Sequence, residues 1–283
     1  MTSTRGRIIS LTAAVAIHLA LSHCTAPGHL ASTEPPRIVR VLVYNIHAGK
    51  DAAGMENLAA VASLIRETSA DLVLLQEVDQ GTRRSANIDQ PAVLAGRTGF
   101  HVAFGSPLDY DGGKYGIAIL SRWPIATDTL FLLPNDPADT PSARSPEPRG
   151  VLRADVLSPY GIITLFNTHI DASREDRWRL QQARTLAAVM GDAARTESLV
   201  LLGGDLNSTP EGGVQAYLRA TGLRDAHTEC GSGEGLTFPA DSAVKRIDYL
   251  YLSEGMRCTR AEALAARASD HLPLLVEVVV PRR

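Results

Sequence analysis

The chain of 283 residues contains little lysine, few aromatic residues and only three cysteines. Only Lys50, Lys114 and Lys245 occur among its 28 basic residues, so arginine carries nearly all of the positive charge. The formal net charge of −3 argues against a basic protein that coats nucleic acid, although a local arginine cluster could still bind phosphate. A composition of 45% apolar and 21% charged residues excludes a disordered or collagen-like chain, and the cysteine count excludes a disulfide-dense mini-protein.

Several motifs that would define a reaction are also missing from the sequence. No glycine-rich P-loop for a nucleoside triphosphate occurs. No serine lies in a GxSxG nucleophile elbow, which leaves acyl transfer without an evident nucleophile. The sequence contains no cluster of closely spaced cysteines and histidines, which argues against a structural zinc site.

The N-terminal segment has the pattern of a secretory leader. Two arginines precede an uncharged run from Ile8 to Leu21. At about 14 residues this run is shorter than the roughly 20 that a membrane-spanning helix needs, and no later run is long enough. We therefore predict a signal peptide over residues 1–31, a linker over 32–37 and one domain over 38–283 in an exported protein of the bacterial periplasm, cell envelope or extracellular space.

The cysteines leave two questions open. The residues before Cys24 resemble a bacterial lipoprotein box, but His23 stands where a small residue is expected. Both a lipid anchor at Cys24 and ordinary cleavage near Ala31 are therefore compatible with the sequence. In an exported protein Cys230 and Cys258 could form a disulfide or remain two separately buried thiols.

Strand-like and helix-like patterns alternate from Ile38 onward. Apolar residues at helical spacing predict helices over Met55–Thr68 and Glu175–Met190. The mixture of helix crossovers and hairpins favours mixed sheets with helices outside rather than a purely parallel Rossmann sheet. Strands are predicted at Ile38–Tyr44, Asp71–Leu75, His101–Phe104, Tyr115–Leu120, Ile125–Leu132, Val151–Leu157, Ile162–Asn167, Ser198–Leu202, Ile247–Leu252 and Leu274–Val280.

Polar groups that can bind a metal or move a proton stand at the ends of these strands. A single Asp or Asn after a strand is usually a turn residue, but six such positions are hard to explain as turns. Oxygen ligands suit Mg²⁺, Mn²⁺ or Ca²⁺, and a metal with carboxylates and histidines fits attack of water on phosphorus. The six segments are Tyr44–His47, Gln76–Glu77, Asn167–His169, Gly203–Asn207, Arg246–Tyr249 and Ser269–His271.

These segments and their order resemble the endonuclease/exonuclease/phosphatase superfamily. The motifs VLVYNIHAG, LLQEVD, KYGIAILSR, FNTHI, LLGGDLNSTP, KRIDYLYLS and SDHLPL carry the resemblance, which spans about Ile38 to Val280. It implies an α/β fold, a four-layer α/β/β/α sandwich of two mixed sheets with helices on the outside. It also implies a site at one edge of the sheets.

The resemblance implies a metal site at Glu77. Glu77 would be the principal ligand, with Asn45 beside it and Asp270 completing the polar ring. Some nuclease members carry an acidic residue where this chain has His47. We therefore expect one tightly held Mg²⁺, or Mn²⁺ or Ca²⁺, rather than a fixed pair of ions.

The resemblance also implies the catalytic groups. Asp205 would orient or deprotonate the attacking water, and Asn207 would hold water or phosphate. Asp248 would fix the tautomer of His271, and His271 would contact the scissile phosphate. His169 would lie opposite and stabilise the phosphoryl oxygen or the leaving group.

Arg149 is a candidate phosphate contact, because a guanidinium can bind two oxygens at once. A surface arginine is an equally plausible interpretation of this position.

The expected function is an exported, divalent-metal-dependent hydrolase of a phosphodiester in a lipid headgroup, a small molecule or a nucleic acid. A secreted nuclease and a catalytically inactive phosphate-binding module on the same fold are the alternatives, and we expect a monomer. Loops would select the substrate, since the catalytic core of a fold is shared among functions. The four loops in question are Asp79–Ile88, Pro107–Lys114, Pro134–Pro148 and Cys230–Val244.

Overall fold

The computed structural model divides the chain into two units, residues 1–35 and 36–283, and the second contains every helix and strand given below. The predicted signal peptide with Cys24, and most of the predicted loop Pro134–Pro148, lie outside the described residues. Within the described part of the chain, no helix has both the length and the apolar character needed to cross a bilayer. The described residues are 1–2, 35–135, 147–173, 176–196 and 199–282.

Twelve strands and five α-helices are found among the described residues. The strands are β1 (Ile38–Asn45), β2 (Leu72–Gln80), β3 (His101–Tyr110), β4 (Gly113–Ser121), β5 (Ile125–Leu132), β6 (Gly150–Ser158), β7 (Gly161–His169), β8 (Val200–Asp205), β9 (Arg224–Asp225), β10 (Asp248–Leu252), β11 (Arg257–Ala263) and β12 (Leu274–Val279). The helices are α1 (Leu58–Glu67), α2 (Gln90–Thr98), α3 (Asp176–Thr196), α4 (Gly213–Ala220) and α5 (Ala226–Cys230).

The strands form two six-stranded mixed sheets. The first has the order β11-β12-β1-β2-β4-β3, and the second has the order β5-β6-β7-β8-β10-β9. Each sheet has one parallel pair at its centre, β1 with β2 and β7 with β8, and its other neighbours run antiparallel. This arrangement confirms the predicted mixed sheets.

The side chains of each strand alternate between two apolar layers. In β1, Val39, Val41 and Val43 enter the core between the sheets, whereas Leu42 and Tyr44 pack with α1 and α2 on the outer face. Helices α3 and α4 pack in the same way on the outer face of the second sheet. The result is the predicted order of layers, helix, sheet, sheet, helix.

A buried amide cluster joins the two sheets below the site. The Asn167 side chain, from β7, donates to the main-chain oxygens of Leu75 at 2.8 Å and Ala118 at 2.9 Å in the first sheet. In return, Gln76 Nε2 of β2 donates to Asn167 Oδ1 at 2.7 Å. Both side chains are fully buried, so these hydrogen bonds are directional contacts inside an otherwise apolar layer.

Several elements differ from the sequence prediction. Helix α2 was not predicted, although Asp89 caps it by accepting from the Ala92 amide and a proline stands in its first turn. Helices α4 and α5 and strands β9 and β11 were also not predicted. Of the two alternatives for the cysteines, the structure contains the disulfide, and the Cα atoms of Cys230 and Cys258 lie 5.7 Å apart.

Candidate active site

The strand register places three predicted site residues in one row across the second sheet. His169 at the end of β7 pairs with Asp205 at the end of β8, and Asp205 pairs with Asp248 at the start of β10. In the first sheet Asn45 ends β1 beside Gln76 of β2. Because the two sheets pack face to face, these ends meet at one edge of the sandwich.

Asp205 lies at the centre of this cluster and is almost completely buried. Its Oδ2 atom accepts from Asn45 Nδ2 at 3.1 Å, and it lies 3.5 Å from His169 Nε2 and 3.7 Å from His271 Nε2. Its Oδ1 atom accepts from the Asn207 main-chain N–H at 2.9 Å. Burial and the nearby charge of Asp248 raise the pKa of Asp205, so this carboxyl group is well suited to take a proton.

His271 and Asp248 form a buried hydrogen-bonded pair. His271 Nδ1 lies 2.9 Å from Asp248 Oδ2, and because an ionised carboxylate can only accept, Nδ1 carries the proton. Burial alone would lower the pKa of His271, but the charges of Asp248, Asp205 and Asp270 outweigh it and raise that pKa to about 10. His271 is therefore an imidazolium near neutral pH, and its Nε2–H points towards Asp205.

His169 has the opposite protonation state. Arg149 Nη1 lies 2.9 Å from His169 Nδ1, and because a guanidinium can only donate, Nδ1 must be the unprotonated nitrogen. Burial and the charges of Arg149 and His271 hold the pKa of His169 well below its ordinary value. His169 is thus a neutral ring that presents Nε2–H to Asp205.

Three residues at the site have a left-handed backbone that non-glycine residues rarely adopt. His47 has φ +48°, Glu77 has φ +55° and Asn207 has φ +43°. Glu77 was predicted to end its strand, but β2 continues to Gln80, and its pairing with β4 shifts between Leu75 and Val78. Glu77 therefore lies in a β-bulge, which redirects its side chain towards the site.

Glu77, Asn45 and Asp270 were predicted to hold a metal. Asn45 Nδ2 donates to Glu77 Oε1 at 3.1 Å, in addition to its contact with Asp205. Asp270 is about one-third exposed, and its Oδ1 lies 3.8 Å from His47 Nδ1. Because the His47 amide donates to Asn45 Oδ1, the His47 segment connects Asp270 to Asn45.

A second group of residues could also hold an ion. Ligand atoms of Asp205, Asp248 and His271 all lie within 4.8 Å of one another. The Asp248 carboxylate is already engaged by His271 Nδ1. Glu77, by contrast, has no basic partner within the described part of the chain, so its charge is the one a cation would balance best.

The remaining predicted residues line the same pocket. Asn207 is half-buried, and its Nδ2 donates to the Ile170 oxygen at 3.1 Å. Arg149 is 6% exposed and contacts Glu147 Oε2 through Nη2 at 3.2 Å. Its Nε is buried without a partner among the described residues, so Arg149 belongs to the pocket wall and not to the outer surface.

The pocket has a volume of about 1020 Å³ and extends well beyond these residues. Sequence reasoning did not identify the individual side chains of this extension. It did identify their segments, because each of the four predicted substrate loops contributes to the lining. The additional lining residues include Arg84, Leu108, Tyr110, Tyr115, Glu147 and Phe238.

Comparison with known proteins places this geometry in a family. An uncharacterized protein of Escherichia coli (strain K12), YbhP, is 26% identical over 251 residues, which are 84% of this chain and 95% of that protein. A Beutenbergia cavernae endonuclease/exonuclease/phosphatase structure has a TM-score of 0.71 at 23% identity, covering 87% of this chain and 72% of the other. The Bacteroides thetaiotaomicron mannosyl-6-phosphatase has a TM-score of 0.71 at 20% identity, covering 85% and 99%. The model of the endonuclease/exonuclease/phosphatase family matches residues 42–271, and the chain therefore belongs to that family.

Proposed function

We propose that the protein is an exported, divalent-metal-dependent phosphodiesterase that cleaves its substrate by direct attack of water. The observation that carries this proposal is the convergence of Asn45, His169 and His271 on one oxygen of Asp205. A proton acceptor, a cationic donor and a neutral donor thus surround one point of a large pocket. Hydrolysis at phosphorus needs a base for water and donors for the phosphoryl oxygens.

The donor set fits a hard divalent ion. The Asn45 amide lies between the carboxylates of Glu77 and Asp205, and no arginine or lysine of the described residues pairs with either carboxylate. Carboxylate oxygens are ligands that Mg²⁺, Mn²⁺ and Ca²⁺ accept, and Asn45, whose Nδ2 faces both carboxylates while its Oδ1 accepts from the His47 amide, would have to turn its oxygen towards the ion. Glu77, with Asn45 and Asp270, would hold one ion, which when bound would neutralise charge on the phosphoryl oxygens.

The protein groups then have separate roles in the reaction. Asp205 takes a proton from water as the water oxygen bonds to phosphorus, and the bond from phosphorus to the leaving alcohol oxygen breaks. That oxygen is protonated by solvent water, because the neutral His169 donates a hydrogen bond without releasing a proton. His271 as imidazolium and Arg149 donate to the phosphoryl oxygens, and Arg149 Nε, which has no partner among the described residues, is a further donor.

A direct test is hydrolysis of bis(p-nitrophenyl) phosphate by the purified full chain. We expect release of p-nitrophenol with Mg²⁺ or Mn²⁺ and its loss in EDTA, because the carboxylates need the ion to hold an anionic phosphate. Plasmid DNA and phospholipid vesicles, assayed in parallel, separate a nuclease from a lipid or small-molecule hydrolase. Cleavage of DNA should also weaken steeply with salt.

The outcomes of this assay distinguish the alternatives. Failure to hydrolyse any phosphoester with any of the three ions would favour the inactive binding module. Activity that persists in EDTA would contradict metal dependence. Preferential cleavage of DNA over every small diester would favour the secreted nuclease.

The proposed export rests on the leader pattern and on the disulfide. A structural disulfide such as Cys230–Cys258 persists mainly in oxidising compartments. In a bacterial host the full chain should therefore fractionate with the periplasm, envelope or medium, and deletion of residues 8–21 should keep it in the cytoplasm. Equal cytoplasmic amounts of the full chain and of the chain without residues 8–21 would contradict export. Labelling with a radioactive fatty acid, with Cys24→Ser as control, decides between a lipid anchor and ordinary cleavage.

A further inference from the structure

One wall of the pocket is formed by Arg84, Tyr110 and Tyr115, which we call the tyrosine wall. The guanidinium carbon of Arg84 lies 4.6 Å from the ring centre of Tyr110 and 5.1 Å from that of Tyr115. Tyr110 is 41% exposed, whereas Tyr115 is buried. None of these residues has a role in the proposed hydrolysis, yet all three line the same cavity as the catalytic groups.

Arg84 is held rigidly by a buried carboxylate. Its Nε and Nη2 atoms each donate to Asp79 at 2.8 Å, and Asp79 is completely buried. The Asp79 carboxylate also accepts from the hydroxyls of Thr82 and Ser85. The charge of Arg84 is therefore neutralised locally, and its Nη1 is without a hydrogen-bond partner among the described residues.

Glu147 connects the tyrosine wall to the phosphate-binding residues. Its carboxylate lies 3.2 Å from Arg149 Nη2 and has the Tyr115 hydroxyl as a further hydrogen-bond partner. The wall thus offers a carboxylate acceptor, a phenol, one free guanidinium donor and the exposed face of Tyr110. These groups adjoin the position where Arg149 would hold the scissile phosphate.

This combination disfavours a charged alcohol on the scissile phosphate. An aromatic cage for a quaternary ammonium needs several open ring faces, but the Arg84 guanidinium lies over both tyrosine rings and only Tyr110 is exposed. A further anionic group would meet the Glu147 carboxylate, while the charge of Arg84 is already paired with Asp79. An uncharged ring with several hydroxyls matches the wall, because its C–H face can pack on Tyr110 while its hydroxyls bind Glu147 and Arg84.

We propose that the tyrosine wall and Glu147 bind an uncharged, polyhydroxylated ring, a sugar or a cyclitol, that is esterified to the scissile phosphate. This inference rests on the proposed function, because the ring is placed by the phosphate that Arg149 and His271 hold. It names the substrate class as small phosphodiesters of ring polyols and excludes choline-type headgroups and polynucleotides.

The test uses p-nitrophenyl phosphodiesters that differ only in the second alcohol: methanol, choline, glucose or myo-inositol. All release the same chromophore, so differences in kcat/KM report on the second alcohol alone. We expect a kcat/KM for the glucose or myo-inositol diester at least about tenfold above that of the methyl diester, and for the choline diester no gain. The two ring arms distinguish a sugar from a cyclitol.

Variants assign any preference to the tyrosine wall. Tyr110→Ala should bring the ratio of ring to methyl kcat/KM close to one, and this exposed side chain can be removed without opening the core. Arg84→Met is a second variant, and circular dichroism checks its fold because it leaves Asp79 buried without its partner. Arg83→Ala is the matched control, because Arg83 is the exposed neighbouring arginine and should keep the full ratio.

Binding measurements separate this inference from the proposed function. Calorimetric titration of the Mg²⁺-supplemented protein with myo-inositol 1-phosphate, glucose 1-phosphate, phosphocholine and methyl phosphate requires no turnover. At least one ring phosphate should bind about tenfold more tightly than methyl phosphate, and Tyr110→Ala should remove that difference. Without hydrolysis of any diester the proposed function fails, yet this binding preference would still support the subsite. Hydrolysis with no ring preference in rate or binding, or with a preference for choline or DNA, would overturn the subsite and leave the proposed function standing.

Discussion

A His271→Ala variant should hydrolyse bis(p-nitrophenyl) phosphate with a kcat/KM about 10²–10³-fold below that of the unaltered protein. The variant removes the cationic donor whose Nε2 faces Asp205, and it leaves Asp248 as a buried carboxylate without its partner. Initial rates at saturating Mg²⁺ measure the effect, and circular dichroism checks that the variant is folded.

His101→Ala is the matched control for this variant. His101 is an exposed histidine at the start of β3 and does not line the pocket. Its removal should leave kcat/KM within about twofold of the unaltered protein, as expected for a surface substitution. If His271→Ala were as active as His101→Ala, His271 would have no part in the reaction.

The partner variant Asp248→Asn tests how His271 acts. The negative charge of Asp248 helps to raise the pKa of His271 to about 10, so removing that charge must lower the pKa. His271 then loses its proton at a lower pH, and the alkaline limb of the kcat/KM profile should move to lower pH. A purely structural role for Asp248 would lower the rate and leave the position of that limb unchanged.

The second large effect is expected for Glu77→Gln. This substitution keeps the shape of the side chain but removes the charge that we assign to the metal, so the Mg²⁺ concentration needed for half-maximal activity should rise about 10-fold to 100-fold, and kcat should fall as well. A Mg²⁺ titration of the initial rate measures both quantities. The exposed Glu67→Gln on α1 serves as control and should titrate like the unaltered protein.

Metal binding can also be followed without turnover. Calorimetric titration with Mg²⁺ or Mn²⁺ should give one site in the unaltered protein and a weakened site in Glu77→Gln. Equal affinity in both proteins would contradict the assignment to Glu77 and would favour the group formed by Asp205, Asp248 and His271, whose ligand atoms lie within 4.8 Å of one another.

Much of the fold could be predicted because its central strands consist of nearly continuous runs of apolar residues. Strands such as β1 and β8 are buried on both faces, and this leaves a clear pattern in the sequence. Helix α2 was missed because it is short and has a glycine inside, so its apolar pattern is weak, although Asp89, the proline in its first turn and the C-cap Gly99 mark its ends. Strand β11 is half exposed and contains three charged residues, so it lacks the apolar run of a central strand.

The site could be predicted in its residues but not in its contacts. Asn45 and Asp205 are 160 positions apart, and only the packing of two sheets brings their side chains to 3.1 Å. The bulge at Glu77 depends on the pairing of β2 with β4, which the order of residues does not reveal. Glu147 follows a loop without periodicity that would indicate where its side chain points, and Tyr110 was assigned to the loop Pro107–Lys114 although it ends strand β3.

The amide cluster of Asn167 and Gln76 has a consequence for how activity depends on the integrity of the fold. Apolar layers resist separation of the sheets but resist sliding only weakly, because the hydrophobic effect has no direction. The three hydrogen bonds of this cluster set the alignment of one sheet on the other, and Glu77 and Asp205 belong to different sheets. A displacement of about 1 Å can cost about 10²-fold in rate while burying the same apolar surface. A variant in which one sheet slides on the other should therefore lose catalytic rate even when its global unfolding temperature is nearly unchanged.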